Sequence, residues 1–398
     1  MTVLPAAGWT DRNDLAALFA ALDPEGDSAR YVGGAVRDTM LGISVNDIDV
    51  ATRHLPETVM QRLAAAGIRT VPTGLAHGTV TALLAGGKIE ITTLRRDVST
   101  DGRRATVAFA SDWREDAARR DFTINALYAD PRTREVHDWF GGLADLAACK
   151  VRFIGDAGER IREDYLRILR YFRFQARFGS LPADEAAEQA CARLAPGMKG
   201  LSRERIGWEL LALLGLPDPS LTVRRMAELG VLGEVLPEAD AARLGALIAS
   251  EQREGVAGDA VRRLGAMLPA DPQLAEQVAA RLRLSGAQKK RLAALAARRE
   301  RPADAPRALA HRIGIESATD RLLVEGRNVA DLAGWTVPTL PLKGGDIVAR
   351  GIGAGPEVAR ILRTVEARWV SEGFPDQARV AAILDEEIKR GGIGRELP

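Results

Sequence analysis

The apolar residues of this chain change period once. Over roughly the first 140 residues, β-rich runs alternate with short helical patches and Gly stops. From Asp156 onward the spacing is helical. A chain patterned this way cannot close a single sheet or a single bundle over its whole length. It builds an α/β module first and appends helices to it. At 398 residues, two to four modules are expected. Ala, Leu and Arg dominate the later two-thirds and sit at the favourable end of the helix-propensity ranking.

Within the α/β part the spacing predicts a short helix over Asp14–Leu22 and a strand over Arg30–Val32 that ends in Gly33-Gly34. A helix over 35–41 stopped by Gly42, a strand over Val45–Ala51, and a helix over 57–66 closed by Gly67 follow. "TVTALLAGGKIEITTL" reads as a β-hairpin turning at Gly86-Gly87. Residues 95–106, "RRDVSTDGRRAT", are charged and aperiodic and read as a mobile surface loop. Asp112 with Glu115 predicts a capping box for a helix running to Arg120. "DWFGGLADL" marks the hinge out of the α/β part. Helix breaks are expected near Gly179–Pro182, Pro196–Gly200, Pro217–Pro219 and Pro269–Pro272, and the Gly- and Pro-rich segment 335–356 sets off a last pair of helices.

Composition excludes several classes. Net charge is +1, so a nucleic-acid surface has to be a local patch rather than a global field. The two cysteines, Cys149 and Cys191, have no metal-ligand spacing and fit a reducing compartment. No run approaches a membrane span and the N-terminus has no apolar leader, so a cytoplasmic protein with no membrane partner and no obligate protein partner is expected. Four histidines, His54, His77, His137 and His311, are too scattered for a His-Asp phosphohydrolase centre, and His137-Asp138 reads as structural.

The chemistry concentrates in "YVGGAVRDTMLGISVNDIDVAT", residues 31–52. Asp47 and Asp49 alternate with Ile48 and Val50, which on a strand puts both carboxylates on one face. A solvated strand face explains this equally well in isolation. Gly33-Gly34 upstream ends a strand and opens a helix, where bare amides favour an anion such as phosphate. A polyphosphate next to two aspartates needs divalent cations between them, so Asp47 and Asp49 are candidate ligands for two Mg²⁺ ions of the kind used in nucleotidyl transfer. Glu90, alternating with Ile89 and Ile91, is the candidate third acid.

These residues carry a resemblance. "GGAVRDTMLG…NDIDVAT" resembles the signature of the class II tRNA nucleotidyltransferase and bacterial poly(A) polymerase family, within the polymerase-β superfamily. The likeness continues through "RRDFTINAL" (119–127), "DWFGGLADL" (138–146), "REDYLRILRYFRF" (162–174) and "LSRERIGWEL" (201–210), with a weaker echo in "PLKGGDIVARGIGAGPEVARIL". It implies an α/β nucleotidyltransferase head, a mixed sheet with helices, followed by all-α neck, body and tail domains. The expected boundaries are 1–141, 142–215, 216–310 and 311–398.

The resemblance also implies roles. Arg37 and Asp38 would hold the phosphates and brace the glycine turn. Arg119, Arg120, Asp121 and Asn125 would contact triphosphate and ribose. Asp164 and Arg167 would act as a protein template for the base, with Arg170 and Arg173 further along the same helix also on the nucleotide side. Three apart, Asp164 and Arg167 are expected on one side of a helix whose core face is Tyr165, Ile168, Leu169, Phe172 and Ala176. A carboxylate accepts from the exocyclic amine of cytosine or adenine, and an arginine donates to the neighbouring ring nitrogen. Guanine and uracil invert both contacts, at about 1–3 kcal/mol per unpaired group.

The activity implied is addition of C, C and A to the 3′ end and acceptor region of tRNA, from CTP and ATP with Mg²⁺. "TGLAHGTVTALL" at 73–84, where poly(A) polymerases carry a "GRRFR"-like stretch, favours that activity over poly(A) synthesis. CC-only or A-only addition remains open, as does a non-catalytic RNA-binding protein on the same scaffold. No aromatic stacking platform stands out in the sequence, so the helical part is expected to recognise tRNA by shape, through arginines on phosphates.

Overall fold

The computed structural model describes residues 1–101, 104–299 and 305–390; the last eight residues, 300–304 and, within the expected loop at 95–106, residues 102–103 lie outside them. The chain divides into two compact units, Met1–Pro237 and Glu238–Pro398. Among the described residues no helix is long and apolar enough to cross a membrane.

The first unit is built on a mixed sheet of seven strands: β1 (Ala29–Val32), β2 (Ile48–Thr52), β3 (Arg69–Gly74), β4 (Thr79–Leu84), β5 (Gly87–Thr93), and two strands that follow later in the chain. The spatial order places β5, β2 and β1 at the centre. β4 and β5 form the expected hairpin, with Thr81 opposite Glu90. β2 runs antiparallel to β1 and parallel to β5. The parallel pair is possible because a crossover through a helix (Pro56–Ala65), β3 and β4 separates the two strands in sequence.

The described residues of 95–106 are not a loop. They form a separate two-stranded ribbon, β6 (Arg95–Asp101) and β7 (Arg104–Phe109), antiparallel with Asp101 opposite Arg104. Charged residues at both ends masked the Val98–Thr100 and Ala105–Val107 runs, and the Asp101-Gly102 hairpin signature was the signal available. β8 (Leu127–Ala129) and β9 (Val136–Asp138) complete the main sheet beside β1.

Helices close around this sheet. α1 (Asn13–Leu22) buries Leu15, Leu18, Phe19 and Leu22, and α2 (Gly34–Met40) packs on β1, β2 and β8. The Pro56–Ala65 helix is α3. α4 (Trp113–Ala118) is capped by Asp112, whose side chain accepts from the Arg114 N–H at 2.9 Å; the cap is one-sided, and the helix ends two residues short of Arg120. Beneath it Trp113, Ala117, Tyr128, Val32 and Ile154 share one core. The "DWFGGLADL" segment is tightly packed: Asp138 accepts from the backbone N–H groups of Phe140, Gly142 and Leu143 and so starts α5 (Gly142–Ala147).

Four helices finish the part that bears on the site: α6 (Ala157–Glu163), α7 (Leu166–Phe178), α8 (Glu185–Leu194) and α9 (Arg203–Leu214). α7 packs against α9, and α6 against α8. α7 is buried on more than its expected face. Ile168, Leu169 and Phe172 are joined in the core by Tyr171 and Phe174, while Tyr165 and Ala176 are half-buried.

The second unit is all helix among its described residues. One apolar cluster contains Leu247, Leu309, Leu322 and Leu323, and another contains Ile347, Ile361, Trp369 and Leu384. Its buried charges are mutually paired: Arg262 bonds Glu251 and Asp320, each at 2.8 Å, and Arg291 takes Asp320 at 2.6 Å.

Candidate active site

Asp49 lies opposite Val32 of β1 and opposite Glu90 of β5. Directly paired residues of neighbouring strands project to the same face, so Asp49 and Glu90 stand side by side. Ile48 and Val50 are buried, while Asp47, Asp49 and Glu90 are exposed. Pairing with β5 begins at Ile48, so Asp47 sits just before the strand rather than within it.

None of these three carboxylates has a hydrogen bond or ion pair among the described residues. The Asp49 carboxyl lies above the usual aspartate range. Crowding by surrounding protein is the main cause; Glu90 adds to it, Arg120 opposes it, and Asp47 contributes a smaller push. Among the described residues no three His, Cys, Asp or Glu side chains close into a full metal cage. An acidic pair of oxygen donors with no protein cation bonded to it among the described residues fits an ion shared with substrate phosphates, the usual setting for Mg²⁺.

The glycine turn lies at the end of β1. Gly33 has φ +69°, a conformation that favours glycine, and a Cβ there would stand 3.3 Å from Arg120 Nη1. Its N–H is not bare as expected: it donates to the Leu127 carbonyl at 3.0 Å. The amides left without an intrahelical acceptor are those of the first turn of α2, starting at Gly34.

Asp116, which the sequence reading passed over, organises the arginines beside that turn. Its carboxylate is buried and accepts from Arg119 Nε at 2.8 Å, Arg120 Nη2 at 3.4 Å and the Tyr128 hydroxyl at 2.5 Å. Burial pushes its pKa up, but Arg120 and Arg119 outweigh burial and hold it below the aspartate range. Arg120 also donates to the Tyr128 hydroxyl at 3.0 Å. The signal was present in the sequence, since Asp116 precedes Arg119 and Arg120 by three and four residues on a helix.

A second buried network joins α2 to α7 and α9. Arg37 donates to Asp38 at 2.7 Å and to Asn125, and its guanidinium lies 4.2 Å from the Phe178 ring centroid. Asn125 donates to Asp121 at 3.0 Å, and Asp121 takes Arg170 at 2.5 Å. Burial works against the Asp121 carboxylate, yet Arg170 and Asn125 hold its pKa low. Glu209 on α9, also absent from the sequence reading, takes Arg173 at 2.6 Å and lies 3.7 Å from Arg170. Arg37, Asp38, Asp121, Asn125, Arg170 and Arg173 are thereby brought together, most of them through contacts with one another.

Asp164 and Arg167 do not share one helix. The helix breaks at Asp164, which is extended (φ −155°, ψ 105°), and α7 starts two residues later. Asp164 accepts from the Leu166 N–H at 3.1 Å and from Arg205 at 2.6 Å. Arg167 donates to Glu163 at 2.6 Å, to the Arg160 carbonyl at 2.9 Å and to the Arg119 carbonyl at 3.3 Å. That last bond ties Arg167 to the arginine pair beside Asp116.

Residues 29–152 match the family model described as the poly A polymerase head domain, and residues 183–243 match one described as the probable RNA and SrmB-binding site of polymerase A. Over 378 residues the chain is 35% identical to a mouse (Mus musculus) protein named CCA tRNA nucleotidyltransferase 1, mitochondrial, covering 90% of this chain and 86% of that one. It is 38% identical over 216 residues to the CCA-adding enzyme of Geobacillus stearothermophilus, 54% of this chain and 52% of that one. A crystal structure of the Bacillus stearothermophilus CCA-adding enzyme in complex with CTP matches with a TM-score of 0.71 at 26% identity, over 96% of this chain and 98% of that one. With the carboxylate pair, the glycine turn and the arginine networks on one polymerase head, the chain belongs to the CCA tRNA nucleotidyltransferase family.

Proposed function

We propose that this protein adds C, C and A to the 3′ end of tRNA from CTP and ATP, releasing pyrophosphate at each step. At each addition the tRNA 3′ oxygen bonds to the α-phosphorus of the nucleotide and the bond to the β-phosphate oxygen breaks. One observation carries the reading: Asp49 and Glu90 stand in register at the centre of the sheet with no protein cation bonded to either. A pure binding protein gains nothing from mutually repelling carboxylates beside a glycine turn.

Asp47 and Asp49 would hold Mg²⁺, which when bound supplies the positive charge that activates the hydroxyl and neutralises the triphosphate. Glu90 supplies a third carboxylate on the same face. Arg120, anchored by Asp116 and Tyr128 beside Gly33, offers its remaining N–H groups to phosphate oxygens. Arg119 is held by the same carboxylate.

Asp164 and Arg167 select the base in this reading. Each Asp164 oxygen takes one protein donor, which leaves lone pairs for the amine of cytosine or adenine. The Arg167 guanidinium has five N–H bonds, so its three protein acceptors leave donors for a ring nitrogen. Residues 1–141 would do the chemistry, 142–215 would read the base, and 216–310 and 311–398 would carry the tRNA. Both cysteines are unpaired, which suits a reducing compartment such as the cytoplasm.

The test is to give the protein tRNA lacking its last three nucleotides, all four NTPs and Mg²⁺, and to sequence the 3′ ends. Ends in CCA are expected. Oligo(A), CC alone or A alone would replace this reading with a narrower specificity, and no extension would overturn it.

A further inference from the structure

Beside the base-reading pair lies a recess that the reaction as described leaves unused. Leu166 of α7 and Glu204, Arg205, Trp208 and Glu209 of α9 line it, with a volume of ≈ 320 Å³. Trp208 is 72% exposed, and of the six tryptophans it is the one that is exposed. Its neighbours tie it to the site. Arg205, three residues earlier and so on the same side of α9, holds Asp164 at 2.6 Å. Glu209, the next residue, holds Arg173, and Arg170 bridges from Glu209 to Asp121.

We infer that Trp208 is the surface on which the 3′-terminal base of the tRNA stacks, the residue that carries the attacking hydroxyl. This rests on the function proposed above. Over three additions the incoming base is always C or A, and its edge can be read. The terminal base is not fixed: it is whatever base precedes the added triplet at the first addition, and C at the next two. An edge contact tuned to one of these would reject the others, because it would leave buried polar groups unpaired. A π face accepts every base. The recess suits that role, being walled by an indole and a leucine. Of its charged lining residues, Arg205 is already bound to Asp164 and Glu209 to Arg173, and Glu204 is a carboxylate, so the lining favours a base over a phosphate.

The test uses the full-length protein with Trp208→Ala and Trp208→Phe. In the Ala variant, KM for tRNA should rise about 5- to 150-fold, the equivalent of about 1–3 kcal/mol for one stacked base. Phe should recover most of it. KM for CTP and the preference for CTP over UTP should not move, and the effect should be similar whichever base precedes the added triplet. A tRNA ending in 2-aminopurine reports stacking without turnover: its fluorescence should be quenched on binding wild-type protein and far less on binding the Ala variant. Unchanged tRNA KM with quenching retained would overturn the inference, as would an effect confined to one terminal base. If wild-type protein extends no tRNA, the proposed function fails, while the quenching comparison still decides whether a terminal base meets Trp208.

Discussion

Replacing Asp116 by Ala should destabilise the head and loosen its phosphate side together. The carboxylate is 1% exposed and neutralises Arg119 and Arg120 while accepting the Tyr128 hydroxyl. Removing one partner from a buried charge cluster costs about 3–5 kcal/mol. Arg119 and Arg120 are 16% and 21% exposed, so water recovers part of their pairing and the loss is about 2–4 kcal/mol. For a unit of 237 residues, at about 2–4 °C per kcal/mol, the melting temperature should fall by about 4–16 °C. Calorimetry reads this directly. Asp116→Asn keeps the shape and one acceptor, so its loss should be smaller. Its folded pKa is depressed, so the charge-dependent stabilisation is complete above the ordinary aspartate value near ~4 and is lost as pH falls through the lower folded value. The gap between wild type and Asp116→Asn should therefore close below about pH 4. A melt within 1–2 °C of wild type for the Ala variant, or a gap that persists unchanged in acid, would refute the reasoning; about 2 °C is the smallest shift that 1 kcal/mol produces.

Other residues make separate predictions. Glu90→Gln relieves the repulsion that adds to burial in raising the Asp49 pKa, so without Mg²⁺ the variant should melt above wild type, and Mg²⁺ should raise its melting temperature less. Arg167→Ala leaves Glu163 paired to Arg160 at 2.7 Å, so folding should survive. Its kcat/KM preference for CTP over UTP should fall about 5- to 150-fold, the worth of one inverted contact at about 1–3 kcal/mol; unchanged discrimination would sink the template role. Gly142→Ala places a Cβ 2.2 Å from the Thr123 carbonyl oxygen, backbone that cannot swing aside, so the turn carrying Asn125 must shift. A loss of about 1–3 kcal/mol in stability, with weaker CTP binding by titration, is expected.

What could be read in the sequence depended on the range of the interaction. The hairpin carrying Glu90 was legible because alternation and a Gly-Gly turn are both local, and the alternation put Glu90 outside the core as found. The break at Asp164 was not. Ile161, Ile168, Leu169 and Phe172 all fit one helical spacing, and periodicity cannot register a single extended residue between two helices. Partners were harder still: Arg173 finds Glu209 36 residues away, and Arg37 finds Asn125 88 residues away. Trp208 gave no local sign, because exposure of one indole on an otherwise ordinary helix is a tertiary fact.

These pairs, local and long-range together, change the electrostatic argument. The arginines nearest the glycine turn and the Asp164–Arg167 pair do not form a bare cationic pocket. Arg119 and Arg120 answer Asp116, Arg170 answers Asp121, Arg173 answers Glu209, and Arg167 answers Glu163. A near-neutral chain can therefore hold an arginine-rich site without self-repulsion. A triphosphate bound there as proposed would add charge to guanidiniums already oriented by fixed carboxylates, using N–H groups the protein has left over. Orientation would then be set before a nucleotide bound, so most of the entropy of aligning these long side chains would be lost on folding rather than on binding. Removing a carboxylate such as Asp116 or Glu209 should consequently weaken nucleotide binding even though it makes the site more positive, the opposite of what a simple count of charges predicts.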